Sequence, residues 1–306
     1  MGRSRFDLHT HSLRSDGRTT PADNVAMAAA EGLAGLALTD HDTFDGWEEA
    51  AAAASRAGVE LVPGLELSTE VDELSLHVLG YWVDPGNEAL AAECRRLRRE
   101  RDRRAAQTVA RLQELGASVQ LARVREIAAG APVGRPHIAA ALVEAGVVPD
   151  LGAAFDGYLA DGGPAYVPKR ALAPADGVAL IVAAGGVAVL AHPGLGTRAA
   201  RIGPELLARM IAAGLAGVEA DHPGHDPATQ ARWRRIAAAN ALEVTGASDF
   251  HGDLGHGRIG ERNTPGAVLE RLRAKMRGTE HPAAPRRDRG WASEETDAPA
   301  HVRRDQ

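Results

Sequence analysis

The chain has 306 residues, 44% of them hydrophobic and only 4% aromatic, which is enough for a sizeable core built mainly of aliphatic side chains. Its 35 basic and 41 acidic residues give a net charge of −6, which argues against binding of duplex DNA through a basic surface. A single cysteine, Cys94, excludes an internal disulfide, and the lack of a long apolar run or of an apolar N-terminal region predicts a cytoplasmic protein without membrane spans.

Short apolar runs alternate with Ala-rich helical segments in residues 1–84. Thr20 is a good N-cap for a helix that ends at about Glu31, because Pro21 follows it and Asp23 stands three residues after it. The other elements predicted here are strands at 6–8, 35–39, 59–62 and 74–81 and a helix at 46–57. Strands that alternate with helices indicate βαβ units and a parallel sheet.

The middle of the chain has a different pattern. Residues 87–115 form a heavily charged helical segment, and further helices are predicted at about 121–129, 136–145 and 150–158. Because no strand pattern occurs here, residues 85–165 are predicted to be a helical insertion that caps the substrate. The Arg-rich stretch 95–104 within it is either a solvated face or a guide for RNA.

The alternation of strands and helices then returns. Strands are predicted at 187–191, 217–219 and 243–246, and helices at 175–184, 204–213, 227–240 and 267–277. Residues 1–84 and 166–277 therefore form the predicted β/α domain. Residues 278–306 are rich in Pro, Arg, Asp and Glu, and we expect them to be disordered.

Histidine and carboxylate residues follow these apolar strands. His9 and His11 lie two apart on an extended segment, so both imidazoles can converge on one ion. The other candidate ligands at strand ends or within the fourth strand are Asp16, His41, Glu66, His77, His192, Asp249 and His251. In a β/α barrel the carboxyl ends of the strands build the site. Nine ligands without a thiolate predict two or three divalent ions, with manganese favoured over iron or zinc.

Each of these residues has an ordinary alternative role. Asp16 could be a turn residue, Asp249 a helix cap and His77 a hydrogen-bonded strand histidine. The metal cluster is favoured because five separate strand ends carry such residues. Asp40 and Asp42 are expected to orient imidazoles by accepting their N–H groups, although Asp42 could equally cap the next helix. Histidines without strand-end context are taken as surface residues, namely His222, His256, His281 and His301.

The segments DLHTHSLRSDG, LTDHD, GLE, a strand histidine, AHPG and SDFH, in this order, resemble the PHP (polymerase and histidinol phosphatase) domain over residues 5–275. The resemblance implies an α/β fold, a distorted (β/α)7 barrel with a trinuclear metal site. It implies a first metal held by His9, His11, Glu66 and Asp249, a second bridged by Glu66 and completed by His77 and His192, and a third held by Asp16, His41 and His251.

Within that family, the chain resembles stand-alone bacterial phosphoesterases, which include 3′,5′-nucleoside bisphosphate phosphatases, 5′–3′ exoribonucleases and AMP phosphatases. Their helical insertion carries an Arg-x-His motif, which implies that Arg135 and His137 contact a substrate phosphate. The guanidinium fork of Arg135 suits that role, although a surface charge is the alternative. His225 matches a further histidine of the group and is expected to line the pocket and bind the substrate phosphate, whereas Lys169 stands where that group varies.

The predicted activity is hydrolysis of nucleotide phosphate monoesters, with a metal-activated hydroxide as nucleophile. The sequence contains no G-x-S-x-G segment, which would indicate a covalent intermediate, and no Walker A segment, which would indicate ATP-driven chemistry. The favoured substrates are 3′,5′-bisphosphates or the 5′ ends of short RNA. Alternatives are a phosphatase for histidinol phosphate, AMP or a sugar phosphate, and a non-catalytic metal-binding regulatory module. We expect no membrane, duplex DNA or obligate protein partner.

Overall fold

A computed structural model describes residues 4–128, 133–160, 162–168, 170–196, 198–252 and 257–276. Several of the predictions above lie outside these ranges, namely those for the tail at 278–306, for Lys169 and for His256, His281 and His301. Among the helices of the described ranges, none is long and apolar enough to span a membrane.

Eight strands form one mixed sheet that is nearly closed into a barrel, in the order β7-β6-β5-β4-β3-β2-β1-β8. The hydroxyl of Thr264 draws the two edges together, because it accepts the Gly246 N–H at 2.9 Å and donates to the Gly246 carbonyl at 2.8 Å. The strands are β1 (Arg5–Asp7), β2 (Gly35–Leu38), β3 (Glu60–Val71), β4 (Leu74–Tyr81), β5 (Val187–Leu190), β6 (Leu215–Asp221), β7 (Glu243–Gly246) and β8 (Thr264–Pro265). The predicted α/β barrel is confirmed.

Helices connect and cover these strands. Thr20 caps α1 as predicted, since its hydroxyl accepts the Asp23 N–H and the Asp23 carboxylate accepts the Thr20 N–H, both at 3.1 Å. The helices are α1 (Pro21–Ala30), α2 (Trp47–Ala57), α3 (Glu88–Glu114), α4 (Leu121–Ile127), α5 (Arg135–Glu144), α6 (Leu151–Ala154), α7 (Pro174–Ala183), α8 (Arg198–Arg201), α9 (Pro204–Ala212), α10 (Pro227–Ala239) and α11 (Gly266–Ala274). A π-helical turn, Phe155–Leu159, follows α6.

The prediction of a parallel sheet holds for only part of it, because β4 runs antiparallel to both β3 and β5, and β8 runs antiparallel to β1. Only Asp72 and Glu73 separate β3 from β4, and both have positive φ, as a tight hairpin turn requires. Two residues leave no room for a crossover helix. Strand β3 also runs through Pro63, where a shorter strand was predicted, so Glu66 lies within it rather than after it.

Helix α3 joins the barrel to the helical segment that follows it. Its first half contributes Leu90 and Leu97 to the hydrophobic core that packs against the sheet. Its second half contributes Val109 and Leu112 to a separate hydrophobic cluster, formed with α4, α5, α6 and the π-helical turn. This shared helix ties the position of the helical segment to that of the barrel.

Candidate metal centre

The loops at the carboxyl ends of the strands meet at one end of the barrel. Thr10 and Phe250 pair as a parallel bridge, and the His11 N–H donates to the Phe250 carbonyl at 2.8 Å. His41 forms a second parallel bridge with Glu66. These main-chain contacts bring the segments after β1, β2 and β7 to the middle of β3, so their side chains share one space.

Glu66 lies at the centre of this space. Its Oε2 is 3.3 Å from His9 Nε2, 3.2 Å from His11 Nε2 and 3.1 Å from His41 Nδ1. Its Oε1 is 2.7 Å from His77 Nδ1 and 2.9 Å from His192 Nε2. One carboxylate therefore contacts five imidazoles. An ordinary hydrogen bond between a carboxylate and one or two histidines would not need this arrangement.

Two further carboxylates complete the cluster. Asp249 Oδ1 is 3.3 Å from His9 Nε2 and 3.4 Å from His11 Nε2. Asp16 Oδ1 is 3.4 Å from His251 Nε2, and its Oδ2 is 3.6 Å from His41 Nε2. All nine candidate ligands are at most 9% exposed. The structure therefore brings the whole predicted set together in a buried position.

Potential ligand atoms in the described ranges form three groups, each with all its atoms within 4.8 Å of one another. The groups are His9, His11, Glu66 and Asp249; His11, Asp16, His41 and His251; and His41, Glu66 and His77. The first equals the set that the resemblance implies for one metal. The other two differ from the implied sets, because His11 joins the Asp16 group and His41 stands in place of His192 beside Glu66 and His77.

Several ligand atoms of the cluster make no hydrogen bond with any part of the chain that the structure describes. These buried atoms are His9 Nε2, His11 Nε2, His41 Nδ1, Asp16 Oδ1 and Asp249 Oδ1. Buried polar atoms without partners are costly and uncommon in proteins. Imidazole and carboxylate donors suit divalent ions of the first transition row, so the residues fit a metal cluster.

The imidazoles and carboxylates of the cluster shift one another's pKa values. Burial acts to raise the pKa of Glu66, but the surrounding imidazoles outweigh it and hold that pKa well below its usual value. Burial acts to lower the pKa of His11, but Asp249 and Glu66 outweigh it and raise that pKa to about 10. The carboxylates thus stay anionic, and a metal cation must displace protons from imidazoles in order to bind.

Comparison with known proteins agrees with this geometry. A family model described as PHP domain matches residues 7–129. A 3′,5′-nucleoside bisphosphate phosphatase from Chromobacterium violaceum is 36% identical over 267 residues, which cover 83% of this chain and 91% of that protein. The chain belongs to the PHP domain family.

Other PHP relatives span a similar share of the chain. A phosphoribosyl 1,2-cyclic phosphate 1,2-diphosphodiesterase from Eggerthella lenta is 35% identical over 261 residues, covering 81% of this chain and 95% of the relative. A 5′-3′ exoribonuclease from Haemophilus influenzae is 32% identical over 257 residues, covering 84% and 93%. A protein from Bifidobacterium adolescentis, described as a metal-dependent phosphoesterase, superposes with a TM-score of 0.82 at 34% identity over 90% of this chain and 97% of that one.

Glu219 is a functional candidate that the sequence reasoning missed in this PHP chain. It is fully buried in β6, where its Oε1 lies 3.2 Å from His9 Nδ1 and its Oε2 accepts the His192 N–H at 2.8 Å. The first contact leaves His9 Nε2 to face the cluster. The second holds His192, whose φ of 25° is in the left-handed region. The sequence offered one indication of this role, because Glu219 stands at the end of the strand predicted at 217–219.

His222 was predicted to be a surface residue, and that prediction is wrong because it is only 3% exposed. Its Nδ1 accepts the Gly224 N–H at 2.9 Å, so the proton lies on Nε2, which points at Asp249 Oδ2 at 3.3 Å. The histidine thus holds the second oxygen of a candidate ligand. The segment DHPG that contains it repeats the pattern AHPG around His192, and this repetition was the signal.

Asp40 and Asp42 hold loops of the PHP site rather than imidazoles. Asp40 accepts three hydrogen bonds, at 2.6–2.8 Å, from the main chain and hydroxyls of residues 12–15. Asp42 accepts the Ser68 N–H at 2.8 Å and the Ser68 hydroxyl at 2.9 Å. It does not cap α2, whose N-cap is Gly46. Both carboxylates therefore fix the backbone from which candidate ligands project.

A cavity of about 510 Å³ opens beside the cluster, between the barrel and the helical segment. Four arginines line it together with the cluster residues, namely Arg101, Arg104, Arg135 and Arg198. Most other arginines of the 95–104 stretch form ion pairs away from it, namely Arg95–Glu88, Arg96–Glu93, Arg98–Asp45 and Arg103–Glu100. The basic helix thus has one paired outer face and one face toward the cavity.

Two histidines expected at the substrate phosphate have other contacts. His137 is buried, and its Nδ1 accepts the Gly134 N–H at 3.0 Å at the start of α5. The expected phosphate contact of His225 requires correction, because both of its ring nitrogens are occupied. Nδ1 donates to the Ala220 carbonyl at 2.9 Å, and Nε2 accepts the Gly194 N–H at 3.0 Å. His225 fastens the loop after β6 to the loop after β5.

Proposed function

We propose that this PHP protein is a metal-dependent phosphoesterase that hydrolyses phosphate monoesters of nucleotides. The observation that supports it most is the group of buried imidazole and carboxylate atoms without hydrogen-bond partners, next to an arginine-lined cavity. Metal ions and guanidinium groups are both cations that proteins use to hold phosphate. A site that offers both in one pocket suits a phosphorylated substrate.

The nine clustered residues would hold two or three divalent ions. We assign His9, His11, Glu66 and Asp249 to one ion, His77 and His192 to a second that shares Glu66, and Asp16, His41 and His251 to a third. Manganese is favoured, although iron and zinc accept the same ligand types. Bound ions of this kind lower the pKa of water and offset negative charge on the phosphate.

The chain's own groups would prepare this site. Glu219 and His222 would fix the directions in which His9 and Asp249 face the ions, because Glu219 contacts His9 Nδ1 and His222 contacts Asp249 Oδ2. The Arg135 guanidinium lies in the cavity wall, where it can bind a phosphate oxygen. Residues of the helical segment form part of the cavity wall.

A 3′,5′-nucleoside bisphosphate or the 5′ end of a short RNA is the favoured substrate. The C. violaceum and H. influenzae relatives carry the names of these two activities. The moderate volume of the cavity and the ion pairs on the outer face of α3 favour a mononucleotide over a long RNA. A cyclic phosphodiester is the second candidate, because the E. lenta relative is nearly as similar at 35% identity.

A substrate screen with elemental analysis tests the proposal. Purified protein loaded with manganese would be assayed on adenosine 3′,5′-bisphosphate, AMP, histidinol phosphate, phosphoribosyl 1,2-cyclic phosphate and 5′-phosphorylated oligoribonucleotides. We expect His9→Ala and Asp249→Ala to lose bound metal and nearly all turnover. Asp45→Ala removes an exposed carboxylate that pairs with Arg98 and should keep both. Metal binding without turnover of any substrate would favour a regulatory module instead.

A further inference from the structure

Arg198 lies at the start of α8, beside the two histidines assigned to the second ion. Its side chain is half-buried and lines the cavity. The Nε atom donates to the Ser75 carbonyl at 3.0 Å, and a terminal nitrogen lies 2.7 Å from His192 Nδ1. Ser75 precedes His77 by two residues in β4. The guanidinium therefore bridges β4, which carries His77, and the loop after β5, which carries His192.

The contact with Arg198 requires a form of the His192 imidazole that cannot bind a metal through Nε2. A guanidinium only donates hydrogen bonds, so Nδ1 must accept, and a neutral imidazole then carries its proton on Nε2. That nitrogen faces Glu66 Oε1 at 2.9 Å, within the cluster. Coordination of a metal through Nε2 requires the opposite form, with the proton on Nδ1. Arg198 and Nδ1 would then be two donors that face each other.

Arg198 therefore cannot keep this contact when His192 serves as a metal ligand through Nε2. The Ser75 carbonyl would still hold its Nε, so the guanidinium would stay next to the second ion. The cavity is the open space at this position, because Arg198 lines it together with His77 and His192. A guanidinium suits phosphate oxygens, which it binds through two parallel N–H groups.

We propose that Arg198 leaves His192 when that imidazole binds a metal, and that its terminal nitrogens then bind the phosphate that is hydrolysed. This proposal rests on the proposed phosphoesterase function and names a catalytic residue for it. Unlike the other three arginines of the cavity wall, Arg198 comes from the barrel. Metal binding and phosphate binding are thereby coupled, because the same terminal nitrogen serves either His192 or the phosphate.

Manganese affinity gives the first test, because the sign of the change separates this role from a structural one. In the absence of phosphate, Arg198→Met removes a donor that competes with the ion for His192. We expect manganese affinity, measured by competition with a chelator, to rise roughly 2- to 10-fold. Loss of a side chain that only positions His192 would lower the affinity instead. A fall or no change would overturn the proposal.

Phosphate affinity gives the second test. Inorganic phosphate would be titrated by calorimetry into manganese-loaded wild type, Arg198→Met and Arg198→Lys. Loss of a charged hydrogen-bonding group in Arg198→Met should weaken phosphate binding about 10- to 100-fold. Arg198→Lys, which retains the positive charge, should recover part of this affinity. Equal phosphate affinity in wild type and Arg198→Met would refute the contact.

Arg201→Met is the matched control. Arg201 ends the same short helix, its side chain is exposed, and it binds the main-chain carbonyl of Asp72 rather than lining the cavity. We expect this variant to bind manganese and phosphate like wild type. If it shifts both affinities as Arg198→Met does, the effect belongs to any positive charge on α8 and the proposal is wrong.

Turnover separates this proposal from the proposed function. In Arg198→Met, kcat/KM for adenosine 3′,5′-bisphosphate and for 4-nitrophenyl phosphate should fall by the same factor, because both present the phosphate that is hydrolysed. A fall for the bisphosphate alone would place Arg198 at another part of the substrate and overturn the proposal. The expected shifts of both affinities in a protein that hydrolyses no phosphate ester would refute the enzymatic function alone.

Discussion

Removal of Glu219 should weaken metal binding although the residue is not itself a candidate ligand. Its carboxylate serves two buried donors, the His9 imidazole at 3.2 Å and the His192 main-chain N–H at 2.8 Å. In Glu219→Ala both lose their partner at a site with no exposure to water. Each unsatisfied donor costs about 1–3 kcal/mol, so we expect the free energy of unfolding to fall by roughly 2–6 kcal/mol.

The effect of the Glu219 substitution on metal affinity should be separable from its effect on stability. Loss of a group that orients a histidine ligand usually lowers metal affinity about 10- to 100-fold. Glu219→Gln keeps one carbonyl acceptor and should lie between wild type and Glu219→Ala. Manganese affinity would be measured by competition with a chelator, and stability by urea unfolding of the metal-free protein.

Glu243→Gln supplies the control, since Glu243 begins the neighbouring strand β7 and pairs with the exposed Arg271. We expect this variant to bind manganese like wild type and to lose less than about 1 kcal/mol of stability. A folded Glu219→Ala protein with wild-type manganese affinity would refute the reasoning, because His9 would then need no partner behind it to face the cluster.

Three further predictions concern protons, packing and the thiol. Because Asp249 and Glu66 raise the pKa of His11 to about 10, manganese binding at pH 7 should release protons, and the affinity for manganese should rise with pH. Calorimetry in buffers of different ionisation enthalpy would measure the number of protons released. Binding without any proton release would contradict this prediction. A Cβ at Gly194 would collide with the Thr229 side chain, so Gly194→Ala should cost about 1–3 kcal/mol in thermal or urea unfolding, whereas Gly203→Ala, with open space around it, should cost much less. Burial raises the pKa of the Cys94 thiol, so a thiol reagent should label it only after denaturation.

Much of the fold and of the site was accessible from sequence patterns. The Thr20 capping box, the strand at 74–81 and the strand at 243–246 were predicted with the observed bounds, because local propensity and the period of apolar residues set them. The nine clustered residues were predicted because strand ends of a β/α barrel share one face. Each of these inferences needs only neighbours along the chain and one rule of topology.

Other features could not be predicted from these patterns. The direction of β4 follows from a two-residue turn that carries no glycine and so gave no hairpin signal. His222 and His225 lie only three residues apart, yet His222 Nε2 faces the Asp249 carboxylate while both ring nitrogens of His225 contact main-chain groups. A histidine's role depends on what faces its two nitrogens.

The chain's own sequence determined the type of fold and the residues that could meet a metal, because periodicity and strand ends are local properties. Tertiary structure decided which charges are compensated. Arg98 and Arg104 look alike along α3, but Arg98 meets Asp45 while Arg104 turns into a cavity without a carboxylate partner among the described residues. Burial and pairing arise only when the helix packs against the barrel, since both depend on what lies across the interface.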